Sequence, residues 1–112
     1  MLISLKENAA FRRLYQRGRS VGNRYLVIYC RPNRLGHNRL GLTVSTKLGH
    51  AVVRNRIRRR LREIYRLNEN CLKQGFDLVV VARTACVDAS FSALNASFSS
   101  LADKLELKRG EP

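Results

Sequence analysis

Acidic residues are scarce in this sequence. Eight Asp and Glu residues stand against 22 Lys and Arg residues, which gives a formal net charge of +14. The carboxylates are scattered along the chain, whereas two-metal phosphodiester hydrolysis needs several of them converging on one site. The sequence therefore argues against a self-sufficient nuclease, and it predicts neither a catalytic residue nor a metal ligand in the protein itself.

Other common signatures of enzymes and binding sites are missing as well. Cys30, Cys71 and Cys86 lie far apart with no CxxC pair, which argues against a disulfide framework and a zinc site. We interpret these cysteines as reduced and mostly buried. The two histidines have no neighbouring carboxylate pair to orient them, and no GxxxxGKS/T or GxGxxG motif supports nucleotide binding.

Long apolar runs are absent too. No stretch approaches the roughly 18 residues of a membrane-spanning helix, and the opening MLISLKENAAFRR lacks the apolar core of a signal peptide. We therefore expect a cytoplasmic protein with no membrane partner. With 112 residues, 45% of them hydrophobic, the chain is expected to form one domain over residues 1–112 with a frayed tail at 108–112.

Arginine is abundant, and it is concentrated between residues 47 and 66, KLGHAVVRNRIRRRLREIYR. Apolar residues in this region recur every three or four positions, which predicts an amphipathic helix that packs through one stripe. The stripe consists of Val53, Ile57, Leu61, Ile64 and Cys71. The opposite face is almost wholly guanidinium and amide, although like charges four residues apart destabilise a helix.

Such a face is either solvated by water and counterions or binds a polyanion. Most solvated faces mix charges and use lysine, whereas guanidinium offers a planar fork of donors that matches phosphate. The net charge of +14 also favours nucleic acid over its rival, an anionic membrane. We therefore favour a nucleic-acid-binding helix, which requires the arginine face to lie outside the core.

Periodicity predicts one compact unit of helices and strands. A first helix covers residues 9–17, and strands cover 21–31 and 39–45, the second being the hairpin partner of the first. After the arginine helix, the apolar run 77–83 predicts a strand covered on both faces and parallel to strand 39–45. A last helix begins at Asp88 or Ser90.

Aromatic residues mark a second candidate surface. Alternation on strand 21–31 puts Tyr25 and Tyr29 on one face and core residues on the other. Half-exposed tyrosines suit base stacking, which contributes about 1–3 kcal/mol per base. Phe11 and Tyr15 lie on one side of the first helix, and their spacing leaves open whether they belong to the core or to a binding surface.

Three segments resemble the bacterial ribonuclease P protein subunit. The segment GLTVSTKLGHAVVRNRIRRRLRE, residues 41–63, closely resembles that family's signature, with its RNR core at Arg54, Asn55 and Arg56. Upstream, FRRLYQRGRSVGNRYLVIY is similar to the family's first helix and strand. Downstream, FDLVVVAR is similar to its last strand.

The resemblance implies a small α/β sandwich of class α+β. Its element order would be α-β-β-α-β-α with about four strands, and the crossover through the arginine helix would be left-handed. The partners would be ribonuclease P RNA and precursor tRNA. The RNA, with Mg²⁺ held mainly by the RNA, would remove the 5′ leader, and the protein would need neither activity of its own nor self-association.

The resemblance also implies two contact surfaces. The residues predicted to contact the catalytic RNA are Arg54, Asn55, Arg56, Arg58, Arg59, Arg62, Arg66 and Lys47. The residues predicted to line a leader cleft on the sheet are Phe11, Tyr15, Tyr29, Arg12, Arg17 and Tyr25. Among other classes, a ribosomal or RNA-chaperone protein would share the charge without stimulating leader removal, and a DNA-packaging protein would prefer a duplex.

Overall fold

The computed structural model describes residues 8–110, which form three helices packed on one four-stranded sheet. The helices are α1 (Asn8–Arg17), α2 (Ala51–Asn68) and α3 (Phe91–Lys104). The strands are β1 (Arg19–Gly22), β2 (Leu26–Pro32), β3 (Arg39–Thr43) and β4 (Phe76–Ala82). This architecture confirms the predicted α+β class. None of the three helices is long and apolar enough to cross a membrane.

The sheet has the strand order β1-β2-β4-β3. β3 and β4 are parallel and are connected through α2, as predicted. The predicted hairpin between the strands at 21–31 and 39–45 is wrong, because β4 lies between β2 and β3 and is antiparallel to β2. β4 buries apolar residues on both of its faces, and such a strand is most stable at the centre of a sheet covered on both sides.

The single strand predicted over residues 21–31 is also wrong, because the chain turns at Asn23. The side-chain oxygen of Asn23 accepts hydrogen bonds from the backbone N–H groups of Tyr25 and Leu26, at 2.9 and 3.0 Å. Such a local side-chain bond offers the backbone an alternative to the strand ladder. The result is a separate edge strand, β1, which pairs antiparallel with β2.

The larger core lies between the sheet and helices α2 and α3. β2 contributes Leu26, Ile28 and Cys30 to it, all at most 1% exposed, as the alternation predicts. α3 begins after Ser90, whose side chain accepts a hydrogen bond from the Ala93 N–H at 3.1 Å and so caps the helix. This confirms one of the two predicted starting points of the last helix.

The apolar stripe of α2 is shorter than predicted. Ile57, Leu61 and Ile64 are buried, but Cys71 is exposed because the helix ends at Asn68 and the chain turns away. Tyr65, which was not assigned to the stripe, is buried instead and meets the Phe98 ring edge to face at 6.4 Å.

Lys108 and Arg109, near the C-terminus, contact the body of the domain. The Lys108 ammonium donates to the Ser99 hydroxyl at 2.8 Å, and the Arg109 N–H donates to the Cys71 carbonyl at 2.8 Å. These bonds hold Lys108 and Arg109, the first two residues of the predicted tail, against the domain. The end of that tail, residues 111–112, lies outside the described residues.

Candidate nucleic-acid interface

The arginine face of α2 points away from the core. Arg56, Arg59 and Arg62 are exposed, and within residues 8–110 none of the three donates to a carboxylate or a carbonyl. The helix is held from its other side by the buried residues Ile57 and Leu61. Glu63, the carboxylate beside Arg56 and Arg59, is paired with Arg66. The three guanidinium groups are therefore available to a polyanion.

Other cations of the region are partly engaged by the protein. The Arg54 Nε donates to the Gly49 carbonyl at 3.2 Å, and Arg58 donates to the side-chain oxygen of Asn55 at 2.9 Å. Arg66 makes an exposed ion pair with Glu63, and its hydrogen bond lowers the pKa of that carboxyl group. Arg66 is therefore less available for a ligand than the array at positions 56, 59 and 62.

The remaining predicted member, Lys47, is exposed in the turn that precedes α2. Its N–H donates to the Ser45 hydroxyl at 3.1 Å, which fixes the backbone there and leaves the ammonium group in solvent. Arg60, which was not predicted to contact RNA, donates to the Ala89 carbonyl at 3.3 Å. Arg60 therefore joins α2 to the segment before α3.

Two apolar side chains border the arginine face. Val52 is 80% exposed and borders a groove of about 500 Å³. The groove is shared with Asn55, Arg58, Arg59 and Arg62. Phe91, half-buried at the start of α3, borders a smaller groove beside Arg56. Neither Val52 nor Phe91 was among the residues predicted to contact RNA, because those residues were chosen for their charged and amide groups.

A cluster of aromatic rings lies on the opposite face of the sheet, under and beside α1. Leu14 and Val79 are buried at its centre, and Phe11 and Tyr29 pack against them. Tyr15 meets Tyr29 edge to face with ring centroids 4.8 Å apart, and its centroid lies 6.4 Å from that of Phe11. Tyr15 is 43% exposed, so part of its ring is available for contact with a ligand.

β3 determines how these rings sit. A Cβ atom at Gly41 would lie 2.6 Å from Cζ of Phe11, so the Phe11 ring can rest on β3 only because residue 41 is glycine. The hydroxyl groups of Tyr15 and Thr43 are 3.0 Å apart and hydrogen-bonded. Phe11 is thus mainly a packing residue, whereas Tyr15 is anchored at the rim of an open surface.

Three other residues predicted for this cleft lie away from the cluster. Tyr25 packs against the larger core, with the Arg24 guanidinium 5.1 Å from its ring centroid. Arg12 and Arg17 are exposed on α1. Helical spacing directs Arg12 away from the sheet and Arg17 to the flank opposite Tyr15.

Three charged residues form a row across the same sheet face, two residues along β2 from Tyr29. In this row, Asp77 of β4 lies opposite Arg31 of β2 and Arg39 of β3. The Asp77 carboxylate accepts two hydrogen bonds from Arg39, at 2.8 and 2.7 Å, and one from the Asn33 amide at 2.9 Å. Burial opposes ionisation of Asp77, but these hydrogen bonds outweigh it and lower its pKa.

Asp77→Asn is expected to lower the free energy of unfolding by about 1–3 kcal/mol near neutral pH, because it removes the charge that accepts both Arg39 hydrogen bonds. The folded-state pKa lies below the unfolded value of about 3.9, so the stabilisation is present above that pH and is lost as pH falls through the folded-state pKa. Urea unfolding of both proteins across this range measures the difference. A difference that does not shrink as pH falls below about 3.9 would contradict the assignment.

The described residues were compared with the requirements of a metal site. Residues 8–110 contain no group of three or more His, Cys, Asp or Glu side chains placed to hold one ion. Asp77, on the same sheet face as the aromatic cluster, already accepts hydrogen bonds at both of its oxygens. These residues do not fit a resident Mg²⁺ ion.

Comparison with known proteins gives one consistent family. Residues 2–106 match the family model described as Ribonuclease P. The ribonuclease P protein component of Alkaliphilus oremlandii is 43% identical over 103 residues, which cover 92% of this chain and 90% of that protein. The corresponding protein of Clostridium kluyveri is 46% identical over 105 residues, covering 92% of this chain and 94% of the relative.

Solved structures are similar over nearly the whole chain. The Staphylococcus aureus RNase P protein superposes with a TM-score of 0.88 at 34% identity, covering 97% of this chain and all of the other. The RNase P protein from Thermotoga maritima superposes with a TM-score of 0.82 at 32% identity, covering 97% of this chain and 98% of the other.

Proposed function

The chain belongs to the ribonuclease P protein family, and we propose that it serves as the protein subunit by dividing RNA binding between two surfaces. The arginine face of α2 binds ribonuclease P RNA. The aromatic cluster beside α1 holds the 5′ leader of precursor tRNA. Two separate exposed surfaces on opposite faces of one small sheet carry this proposal, because each is suited to a different kind of RNA contact.

The α2 surface is suited to folded RNA. Arg56, Arg59 and Arg62 project from a helix whose position is fixed by the core, and each can donate two parallel hydrogen bonds to a phosphate. Such contacts depend on the positions of phosphates and not on base identity. Arginines on a fixed helix therefore favour an RNA whose phosphates match the spacing of these side chains along the helix.

The aromatic surface is suited to a single strand. Leaders differ in sequence between precursors, so the protein needs contacts that tolerate any base. Stacking on Tyr15 supplies such a contact, because every base has a π-face. The ring is partly exposed, and its hydroxyl group is held by Thr43, so the stacking face is already oriented before RNA binds.

Catalysis is assigned to the RNA together with Mg²⁺. Within residues 8–110 no carboxylates converge on one point, and we assign to the protein the positioning of the leader and the neutralisation of phosphate charge. The same proposal places the protein in the cytoplasm. It also holds that residues 1–112 form one domain, which acts as a single copy.

The test is cleavage of precursor tRNA at low Mg²⁺ concentration with the RNA alone, the protein alone and both together. We expect cleavage at the mature 5′ end only when both are present, because the protein compensates for cations that would otherwise screen the phosphates. Cleavage by the protein alone would indicate a self-sufficient nuclease. Binding to both RNAs without faster cleavage would favour a ribosomal or RNA-chaperone protein.

A further inference from the structure

A basic groove lies on the flank of α1 opposite Tyr15. Phe11 and Tyr15 occupy one flank of the helix, and Arg13 projects from the other, two residues from each. There the chain forms a groove of about 550 Å³ between α1, the ends of β2 and β3, and the loop that follows β2. The polar residues that line it are Arg13, Arg31, Asn33, Arg34, Arg39 and Asp77.

The wall of this groove is fixed before any ligand binds. The Asn33 amide donates to Asp77 at 2.9 Å and to the His37 carbonyl at 3.0 Å, while its side-chain oxygen accepts the Leu35 N–H at 2.9 Å. Together these bonds close the loop at residues 33–37. Arg34 occupies the left-handed backbone region with φ of 61°, a conformation that this closed loop imposes.

The charge of the groove is positive after internal pairing. Among the described residues that line the groove, Asp77 is the one carboxylate, and its oxygens accept hydrogen bonds from Arg39 and Asn33. Arg13, Arg31 and Arg34 donate to no carboxylate within residues 8–110. Three guanidinium groups around one concave surface favour a phosphodiester backbone, and a compact neutral ligand would leave them without counter-charge.

We propose that this groove binds the phosphates of the distal part of the leader after the strand has crossed α1. This inference rests on the proposed leader-binding role of the aromatic cluster. An α-helix with its side chains is about 10–12 Å across, so a strand stacked on Tyr15 reaches the groove within a few nucleotides. Arg12, exposed on the outer side of α1, lies between the two sites. The groove thus extends the leader-binding surface beyond the aromatic rings.

The test is binding of precursors whose leaders lengthen by one nucleotide at a time, using protein assembled with ribonuclease P RNA. Arg31→Gln combined with Arg34→Gln should weaken binding of long-leader precursors on the order of tenfold at about 0.1 M salt and lower the salt-dependence slope by about 1.4. Binding of the shortest leaders and assembly with the RNA should stay unchanged, because neither reaches the groove.

The charge-matched control combines Lys104→Gln with Arg109→Gln, two cations at the C-terminal end of the chain. It should retain the full gain from a long leader. The proposal would be overturned if the groove variant lost the same precursor affinity at every leader length, or if it bound ribonuclease P RNA more weakly. It would also be overturned if the groove variant kept the full gain in affinity from a long leader. A wild-type complex that binds precursor and mature tRNA equally would instead overturn the leader-binding function itself.

Discussion

Replacing Arg56, Arg59 and Arg62 together by alanine is expected to weaken assembly with ribonuclease P RNA on the order of a hundredfold at physiological salt. All three side chains are exposed and unpaired within residues 8–110, so each can neutralise one phosphate and release its condensed counterions. Three lost contacts should also lower the slope of log affinity against log salt by roughly 2.7. Titration of labelled RNA at several salt concentrations measures both quantities.

The matched control removes three cations from the other end of the chain, Lys104, Lys108 and Arg109. Both variants reduce the net charge equally, so long-range attraction to RNA falls by the same amount in each. We expect the control to lose little affinity, and thermal unfolding establishes that both variants fold. Equal losses in both would mean that α2 contributes only net charge and that its arginines are a solvated face.

Tyr15→Ala is expected to weaken binding of precursor tRNA to the assembled complex on the order of tenfold, because one base loses a stacking surface worth about 1–3 kcal/mol. Mature tRNA has no leader and should bind as before. Fluorescence titration of the complex with each RNA measures the two affinities. Since Tyr15 is 43% exposed, the change removes less packing than the same change at Phe11 would.

Tyr15→Phe is the control for this prediction. It retains the ring and removes the hydroxyl group that is hydrogen-bonded to Thr43. Precursor affinity should therefore stay within about threefold of the wild type. If Tyr15→Phe lost as much affinity as Tyr15→Ala, the hydroxyl group and not the stacking face would be the contact. Similar losses for precursor and mature tRNA would assign Tyr15 to the packing of α1.

Local sequence patterns were sufficient to predict much of the fold. The alternation of β2, the capping by Ser90 and the parallel pairing of β3 with β4 all follow from residues close in sequence or from the length of the connection. The hairpin prediction failed because pairing between strands is decided by burial. β4 buries apolar residues on both of its faces and excludes β3 from the side of β2.

The candidate site was predictable in part for the same reason. Helical spacing identified the α2 arginines, because the outer face of a helix can be read from position alone. The contact of Phe11 with Gly41, and the bond between Asn33 and Asp77 across 44 residues, depend on tertiary packing that no periodicity contains. Alternation along one strand could not show that Tyr25 packs against the larger core, because the chain turns at Asn23, between β1 and β2.

The position of β4 at the centre of the sheet has a mechanical consequence. β4 is hydrogen-bonded to a neighbour along both edges, and it separates the helix layer that carries the arginines from the face that carries the aromatic rings. A strand that is hydrogen-bonded along both edges resists bending. We therefore expect the thickness of the domain, whose extents are 39 × 32 × 24 Å, to stay constant. Two RNA segments bound to its opposite sides would therefore be held at a fixed distance from each other.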